Sequence, residues 1–338
     1  MVVNKQNNPR KRGLQQDRTL CVAPMMAWTD RHCRYLHRLA APRALLFTEM
    51  VTANALHHGN PESLLRFDPA EHPVALQLGG SEPELLAAAA DMAAKAGFDE
   101  VNLNVGCPSP RVQRGRFGAC LMLEPELVRD CVVAMAERVR VPVTVKCRLG
   151  VDDADSDELI DRFIGTVAES GCRTFYLHAR KALLSGLSPA QNRSVPPLQH
   201  QRVHALKSRF PSLQIIINGG IDAAEALDGH LAAVDGVMVG RAAYHAPMTL
   251  AAMHARVFGG QAPDRGTIMA RYQEYVRREL DQGTRLADMT RHVLGLFGGV
   301  PGARRFRRTL SDARALAGND IALLDRALAE LRPRTAAA

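Results

Sequence analysis

The sequence lacks the features of a membrane or exported protein. Its 338 residues contain no apolar run near the roughly 18 residues that span a bilayer. Residues 1–18 carry basic and amide side chains without an apolar segment, so they do not form a secretory signal, and we expect them to be a disordered leader. The seven cysteines are an odd number and include no C-x-x-C pair, which argues against a disulfide framework and a zinc site. We therefore predict a cytoplasmic protein without a bound metal.

Acidic residues are outnumbered in this chain. Lys and Arg total 43 and Asp and Glu total 35, so the formal net charge is +8. The excess is concentrated near the C-terminus, where Arg304, Arg305, Arg307 and Arg308 fall within five positions. A positive field attracts phosphate groups, so we expect a polyanionic partner, although the net charge alone fits a protein without one equally well.

Short apolar runs rich in β-branched residues recur along the chain, each followed by a segment of helical periodicity. The predicted strands are Leu20–Pro24, Leu45–Glu49, Val74–Leu78, Val101–Val105, Val143–Cys147, Thr174–His178, Gln214–Asn218 and Gly236–Gly240. The predicted helices include 82–96, 124–138, 158–170 and 223–232, with Ser81 and Asp222 as N-caps and Gly97 and Gly171 as C-terminal stops. Eight strand–helix units with apolar strands predict a parallel (β/α)8 TIM barrel. A doubly wound open sheet is the alternative, but the first strand is followed by no glycine fingerprint.

The pattern changes after Arg241, where helical periodicity continues without a convincing strand. We predict a catalytic barrel over residues 19–249, a C-terminal all-helical domain over 250–332 and a tail over 333–338. The segment 248–257 is also compatible with the last helix of the barrel.

Polar residues stand where the predicted strands end. They are Gln77, Asn104, Cys107, Lys146, Arg148, His178, Arg180 and Asn218. In this architecture the carboxyl ends of the strands carry the chemistry. A buried polar side chain is costly unless it is paired, so a bound polar ligand explains several of them together. Each one taken singly is also compatible with a satisfied polar group of the core.

The loops after the seventh and eighth strands predict a phosphate site. They begin with Asn218-Gly219-Gly220 and with Gly240-Arg241. Glycines let backbone N–H groups approach a phosphate, and Arg241 offers a charge-assisted contact. Two tight turns without a ligand remain the alternative for Gly219 and Gly220.

Cys107 lies between Gly106 and Pro108, which places its thiol on a loop. An ordinary thiol is mainly protonated at neutral pH, so Cys107 is a candidate proton donor, a candidate nucleophile or a small packing residue. A nucleophilic pair with His178 is conceivable, but the sequence indicates no third residue for it.

Together these segments resemble the bacterial tRNA-dihydrouridine synthases, specifically their A type. The resemblance rests on A-P-M-M-A-W-T-D-R-H-C-R, P-V-A-L-Q-L-G-G, N-L-N-V-G-C-P-S-P-R-V-Q, V-K-C-R-L-G, L-H-A-R-K, G-L-S-P-A-Q-N-R, I-N-G-G-I and D-G-V-M-V-G-R, and continues through R-H-V-L-G-L-F-G-G-V-P-G-A-R-R-F-R-R. It covers nearly the whole chain after the leader and ends at Leu331. Cys147 departs from the family, in which we expect threonine, and should point away from the ligand.

The resemblance implies specific roles. FMN contacts would fall on Pro24, Met25, Met26, Gln77, Lys146 and His178, and its phosphate on Asn218, Gly219, Gly220, Gly240 and Arg241. Cys107 would be the general acid, and Asn104 would lie beside the flavin and the target base. Contacts to tRNA would fall on Arg180, Lys181, Gln191, Asn192, Arg193, Ser194, Arg304, Arg307 and Arg308.

The implied activity is NADPH-dependent reduction of the C5=C6 bond of a uridine in the tRNA D-loop, at positions 20 and 20a. Because the chain has no nicotinamide fingerprint, we expect NADPH to visit the flavin transiently, which predicts ping-pong kinetics. Two alternatives remain at this point. One is an FMN barrel acting on a free pyrimidine, and the other is a non-catalytic RNA-binding barrel.

Overall fold

The computed structural model describes residues 16–331. Eight parallel strands close into a barrel in the order of the chain. They are β1 (Leu20–Val22), β2 (Leu45–Thr52), β3 (Val74–Gly79), β4 (Glu100–Val105), β5 (Val143–Cys147), β6 (Thr174–His178), β7 (Gln214–Asn218) and β8 (Gly236–Val239). Strand β1 pairs with both β2 and β8, which closes the barrel. The prediction of a TIM barrel is confirmed, and the open sheet is excluded.

Both faces of the strands are apolar because each strand is covered on both sides. Leu45, Phe47 and Tyr176 point into the barrel and form an interior cluster, whereas Leu46 packs outward against the helices. Successive side chains of a strand point alternately into the barrel and toward the helices, and both surroundings are apolar. Each strand therefore appears in the sequence as a continuous apolar run. Cys147 is fully buried in the outer cluster, as expected for a side chain that points away from the barrel interior.

Helices alternate with the strands and then continue alone to the end of the described chain. They are α1 (Arg31–Ala40), α2 (Ala53–His58), α3 (Pro61–Leu65), α4 (Pro83–Ala96), α5 (Pro110–Arg114), α6 (Pro125–Arg138), α7 (Asp157–Ala168), α8 (His200–Arg209), α9 (Leu227–Leu231), α10 (Arg241–His245), α11 (Pro247–Phe258), α12 (Arg265–Asp281), α13 (Leu286–Thr290), α14 (Ala303–Thr309), α15 (Ala313–Ala317) and α16 (Ala322–Ala329). None of the helices in this part of the chain is both long and apolar enough to cross a membrane.

The predicted helix ends are right in part. Gly97 and Gly171 have φ angles of 98° and 89°, the left-handed conformation expected of glycines that end helices. The predicted N-caps are wrong, because α4 begins after Glu82 rather than Ser81. The predicted helix 223–232 is instead a 3-10 turn followed by α9, so Asp222 caps no helix.

Helix α11 packs against α1 and β1, which makes it the last helix of the barrel. The predicted boundary after residue 249 falls inside this helix. We therefore propose that the barrel ends at Phe258 and that residues 259–264 link it to the helical domain that starts with α12.

The bottom of the barrel, at the amino ends of the strands, is closed by Arg18. This residue stands in the predicted leader, yet it is only 6% exposed and its guanidinium Nε donates to Glu100 Oε2 at 2.8 Å. Residues 1–15 of the predicted leader and the tail 333–338 lie outside the described part of the chain.

The helical domain is joined to α1 by a buried polar interface. Arg31 forms an ion pair with Glu279, and His32 Nδ1 lies 2.7 Å from the hydroxyl of Tyr275. The rings of Tyr35 and Tyr275 stack with centroids 4.0 Å apart. Helix α12 is therefore held against the first helix of the barrel by specific contacts.

Candidate active site

A cleft of about 700 Å³ opens at the carboxyl ends of the strands. Its lining includes, among residues singled out from the sequence, Pro24, Met25, Met26, Gln77, Asn104, Cys107, Lys146, His178, Arg193, Asn218, Gly219, Gly220, Gly240 and Arg241. These residues come from seven different strands or the loops that follow them, so only closure of the barrel brings them together. The cleft has the size and position of a cofactor site in this architecture.

The cleft is strongly basic. Lys146, Arg148, Arg193 and Arg241 line it, and the only carboxylate among its lining residues is Asp222. Burial, together with the nearby charge of Arg148, lowers the pKa of Lys146 to about 8. Burial and the neighbouring cations also hold the pKa of His178 well below its usual range, so that imidazole is neutral at pH 7. Uncompensated positive charge of this kind suits an anionic ligand.

The loop after β7 forms a cradle that only glycine permits. Gly219 and Gly220 have φ angles of 113° and 69°, a region that side chains rarely adopt. A Cβ atom on Gly219 would lie 2.6 Å from Cδ2 of His178. The cradle therefore keeps its backbone close to the cleft, as a phosphate-binding loop requires.

Asn218 connects the cradle to its neighbours on both sides. Its Oδ1 accepts a hydrogen bond from Lys146 Nζ at 3.0 Å, and its Nδ2 donates to the carbonyl of Met238 at 2.8 Å. The amide thus fixes the ammonium group of Lys146 at the edge of the cleft. Because Asn218 is 7% exposed, it acts mainly through these two hydrogen bonds.

Cys107 lies on a loop that is held at several points. Its backbone N–H donates to Asn104 Oδ1 at 3.0 Å, and its carbonyl accepts from the N–H of Ala119 at 2.9 Å. Arg148 Nε donates to the carbonyl of the preceding Gly106 at 2.9 Å. The loop is therefore fixed to β4, to β5 and to the segment that begins at Gly118.

The thiol of Cys107 is half-buried at the cleft. Burial raises its pKa, and the N–H of Ser109 and the charge of Arg148 oppose this rise without cancelling it. The thiol is consequently protonated at neutral pH. No hydrogen bond joins it to His178 in residues 16–331, so the structure does not support a nucleophilic pair.

Gln77 and Asn104 face each other across β3 and β4. Asn104 Nδ2 donates to Gln77 Oε1 at 2.8 Å, and Gln77 Nε2 donates to Asn102 Oδ1 at 2.8 Å. Both side chains line the cleft while they are at most 9% exposed. Their amide groups are therefore locked in one orientation at the cleft floor.

The loop 181–196 carries most of the predicted tRNA contacts of the barrel. Some of these side chains are exposed, and others are buried in the loop. Arg193 is exposed and lines the cleft. Asn192 is fully buried, and its amide bonds to both the N–H and the carbonyl of Leu183 at 2.8 Å. The polar atoms of Asn192 are thus used to fold the loop, and its contact with tRNA stays a prediction.

The other predicted residues of this region also hold the loop together. Lys181 Nζ donates to the carbonyl of Asp152 at 3.0 Å, and Arg180 Nη1 donates to the carbonyls of Ser194 and Pro196. Gln191 Oε1 accepts from the N–H of Ser188 at 2.8 Å. Gln191 and Ser194 are exposed, so they stay candidates for contact with a large ligand, whereas Arg180 is 8% exposed.

Arg304, Arg307 and Arg308 lie on α14, outside the cleft. Phe306 is buried and anchors the helix, and the three arginines point away from it into solvent. Within the described chain none of the three forms an ion pair, whereas Arg305 pairs with Glu330 at 2.7 Å. The helix thus presents unpaired positive charge on one exposed side.

Three features in and near the site were not predicted from the sequence. Trp28 lines the cleft and stacks on Tyr244, with ring centroids 4.6 Å apart and planes 6° from parallel. Arg148 was noted at a strand end but not assigned a role. Arg111, Arg114 and Arg116, which follow Cys107, are exposed and pair with no acid among residues 16–331. The signals were the only tryptophan and the run P-R-V-Q-R-G-R.

Comparison with known proteins identifies the family of this chain. A sequence model of the family described as "Dihydrouridine synthase (Dus)" matches residues 21–331. A protein of Vibrio vulnificus is 53% identical over 315 residues, covering 92% of this chain and 96% of the relative. Another, of Escherichia coli K12, is 53% identical over 324 residues, covering 95% of this chain and 93% of the relative. A third, of Xanthomonas campestris pv. campestris, is 56% identical over 293 residues, or 87% and 88% of the two chains. All three are named tRNA-dihydrouridine(20/20a) synthase.

Proposed function

Because this chain belongs to the dihydrouridine synthase family, we propose that it uses FMN and NADPH to reduce the C5=C6 bond of uridines in the D-loop of tRNA. The target positions we propose are 20 and 20a, which the names of its relatives specify. The observation that carries the proposal is a basic cleft at the top of the barrel with a protonated thiol, Cys107, on its wall.

The residues of the cleft fit FMN. The glycine cradle and Arg241 would hold the phosphate, while Gln77, Lys146 and His178 would contact the ring. The fit rests on the backbone approach at Gly219 and on the excess of cations over carboxylates. When bound, FMN supplies the redox chemistry, because it accepts two electrons from NADPH and passes them to the pyrimidine.

Cys107 is the proposed general acid. Saturation of the C5=C6 bond requires a proton at C5 in addition to the hydride delivered to C6. The raised pKa of the thiol keeps this proton in place at neutral pH, and the fixed loop holds the thiol at the cleft. A group that carries its proton in the resting enzyme can deliver it once negative charge develops on the base.

Lys146 and His178 have complementary roles in this proposal. Lys146 is held by Asn218 and offers a positive charge where the reduced ring is negative. His178 is neutral, so it can donate one hydrogen bond without adding charge. Charge stabilisation and ring orientation are thereby assigned to different residues.

The RNA face would combine the cleft rim with the helical domain. Arg193 and Arg241 lie at the cleft, and Arg304, Arg307 and Arg308 lie on α14. The proposal also includes Arg111 and Arg114 on α5, which follows Cys107, and Arg116 just after that helix. Unpaired arginines bind phosphates, and a uridine must leave its stack to enter the cleft, so contacts on both sides of the target base are needed.

The two alternative functions account for fewer observations. An enzyme of free pyrimidines has no use for the unpaired arginines of α14, and a non-catalytic RNA-binding protein has no use for a protonated thiol in a basic cleft.

The test uses purified protein, FMN and tRNA that lacks dihydrouridine. We expect a yellow protein whose flavin is bleached by NADPH without oxygen and is reoxidised by the tRNA, with dihydrouridine mapped at positions 20 and 20a. Free uridine should reoxidise it far more slowly. A folded protein without affinity for FMN, or one that reduces free pyrimidines equally well, would contradict the proposal.

A further inference from the structure

A ladder of buried side chains crosses the interior of the barrel from its bottom to Cys107. Its members are Glu100, Thr144, Asn102, Gln77 and Asn104, none of which is more than 9% exposed. Thr144 Oγ1 donates to Glu100 Oε1 at 2.7 Å, and Asn102 Nδ2 donates to Thr144 Oγ1 at 2.9 Å. The ladder continues through the Gln77–Asn102 and Asn104–Gln77 bonds described above. It ends where Asn104 Oδ1 accepts from the N–H groups of Gly106 and Cys107 at 3.1 and 3.0 Å.

The two ends of the ladder dictate its polarity. At the bottom, the Glu100 carboxylate can only accept, so the hydroxyl of Thr144 must donate to it and accept from Asn102. At the top, backbone N–H groups can only donate, so Asn104 must turn its oxygen toward Cys107. Both ends demand the same orientation of the three amides in between. A polar network that is satisfied along its whole length has one arrangement rather than several.

Glu100 has further partners on its other side. Arg18 donates to its Oε2 from Nε at 2.8 Å, and its Nη2 lies 2.6 Å from the same oxygen. The hydroxyl of Tyr176 donates to Oε1 at 2.9 Å. The carboxylate therefore has partners on both oxygens and acts as a fixed acceptor at the lower end.

We propose that Thr144 and Glu100 are positioning residues for the reaction, because the ladder transmits their donor–acceptor polarity to Gln77 and Asn104 and so fixes the loop that carries Cys107. Neither residue lines the cleft, and both act only through the side chains above them. The inference deepens the proposed function and rests on it for its kinetic part.

Substitution of Thr144 tests the ladder with the smallest change in shape. Thr144→Val removes the hydroxyl, which leaves Asn102 Nδ2 without its acceptor and weakens every bond above it. We expect kcat with tRNA to fall about tenfold to a hundredfold through misplacement of the thiol. The KM for tRNA should stay unchanged, since the arginines that face the RNA are not touched.

A second readout does not depend on activity. Iodoacetamide alkylation of the full-length purified protein, followed by peptide mass mapping, reports the accessibility of the Cys107 thiol across a range of pH. Trypsin cleaves at Arg111, Arg114 and Arg116, so Cys107 and the partly exposed Cys120 fall on different peptides. In Thr144→Val, a loosened loop exposes the thiol, so alkylation should be several-fold faster and its pH midpoint should move down toward the ordinary value.

Two further variants separate positioning from general damage to the core. Thr144→Ser keeps the hydroxyl and should restore both readouts. Thr290→Val removes a comparable buried hydroxyl, which bonds the carbonyl of Leu286 at 3.1 Å outside the ladder, and should leave both readouts unchanged.

The outcomes distinguish a failure of the ladder proposal from a failure of the proposed function. Equal effects of Thr144→Val and Thr290→Val, or a wild-type alkylation profile in Thr144→Val, would overturn the role of the ladder. A wild-type protein that is inactive on tRNA would instead overturn the proposed function, while the alkylation comparison would still stand.

Discussion

The thiol of Cys107 combines a raised pKa with a loop fixed on three sides, which suits an acid better than a nucleophile. We predict that Cys107→Ala still allows NADPH to reduce the flavin. Reoxidation by tRNA should slow by about 10²- to 10⁴-fold, the usual contribution of a positioned acid. Stopped-flow absorbance of the two half-reactions measures both rates. Unchanged reoxidation would remove Cys107 from the mechanism.

Lys146 should make FMN binding depend on pH. Burial lowers its pKa to about 8 in the free protein, and an anionic ligand favours the charged form. The affinity for FMN should therefore be constant below about pH 8 and should fall as pH rises above it. Fluorescence titrations between pH 7 and 10 measure this. In Lys146→Met the affinity should be lower and flat over the same range, and a slope that persists there would assign the effect to another group.

Gly219 tests the phosphate cradle. An alanine there meets His178 and keeps a φ of 113°, so Gly219→Ala should lose FMN affinity along with stability. Gly171→Ala is the matched control, because Gly171 has a φ of 89° and nothing within 4 Å of the added Cβ. Each variant should lose about 1 to 2 kcal/mol of unfolding free energy through backbone strain. Only Gly219→Ala should bind FMN weakly in a fluorescence titration, and equal FMN affinity in both would count against the cradle.

At the scale of elements, helix α14 presents Arg304, Arg307 and Arg308 without acidic partners in the described chain. The triple change to Gln should weaken tRNA binding. It should also reduce the slope of log affinity against log salt by about one for each phosphate that the variant no longer binds. Filter binding between 50 and 200 mM salt measures both, a range in which phosphate binding by arginines changes strongly.

A control removes three arginines that do have partners. Arg278 pairs with Asp68, Arg285 with Asp288 and Arg305 with Glu330. Substituting these three with Gln changes the net charge equally, so it should affect the salt slope much less. If both triple variants behave alike, total charge rather than α14 attracts the RNA.

The strands could be predicted from the sequence, whereas the contacts between them could not. All eight strands were found because parallel strands buried on two faces are continuous apolar runs, and the polar residues at their ends marked the cleft. The ladder could not be found, because Glu100, Asn102 and Thr144 meet only through the register of β4 with β5. The burial of Asn192 could not be predicted for a related reason, since a loop motif does not reveal which of its side chains fold inward.

At the scale of the whole molecule, the ion pair between Arg31 and Glu279 joins the barrel to the helical domain. Burial alone would raise the pKa of Glu279, but the hydrogen bond and charge of Arg31 outweigh it and lower that pKa. The contribution of this ion pair to the free energy of unfolding is therefore present at neutral pH. It is lost as pH falls through the lowered pKa of Glu279.

Removal of the carboxylate tests this ion pair. Glu279→Gln leaves Arg31 largely buried without its counter-charge, and we expect a loss of about 3 kcal/mol at pH 7. Thermal unfolding at pH 7 and pH 3 should show the difference from wild type shrinking at the lower pH. A difference that is the same at both would mean that the pair does not couple the domains.

Asp30 connects the rim of the cleft to the helical domain. Its carboxylate caps α1 directly after the rim segment that carries Trp28. Its Oδ1 lies 3.0 Å from His292 Nε2, and it accepts a salt bridge from Arg291 of the helical domain. The rim of the cleft and the helical domain are therefore joined at Asp30, which fixes the distance between the cleft and α14. Under the proposed function, the uridine that reaches the cleft is the one at this distance from the arginines of α14, so the shape of the RNA would select the target rather than the bases beside it.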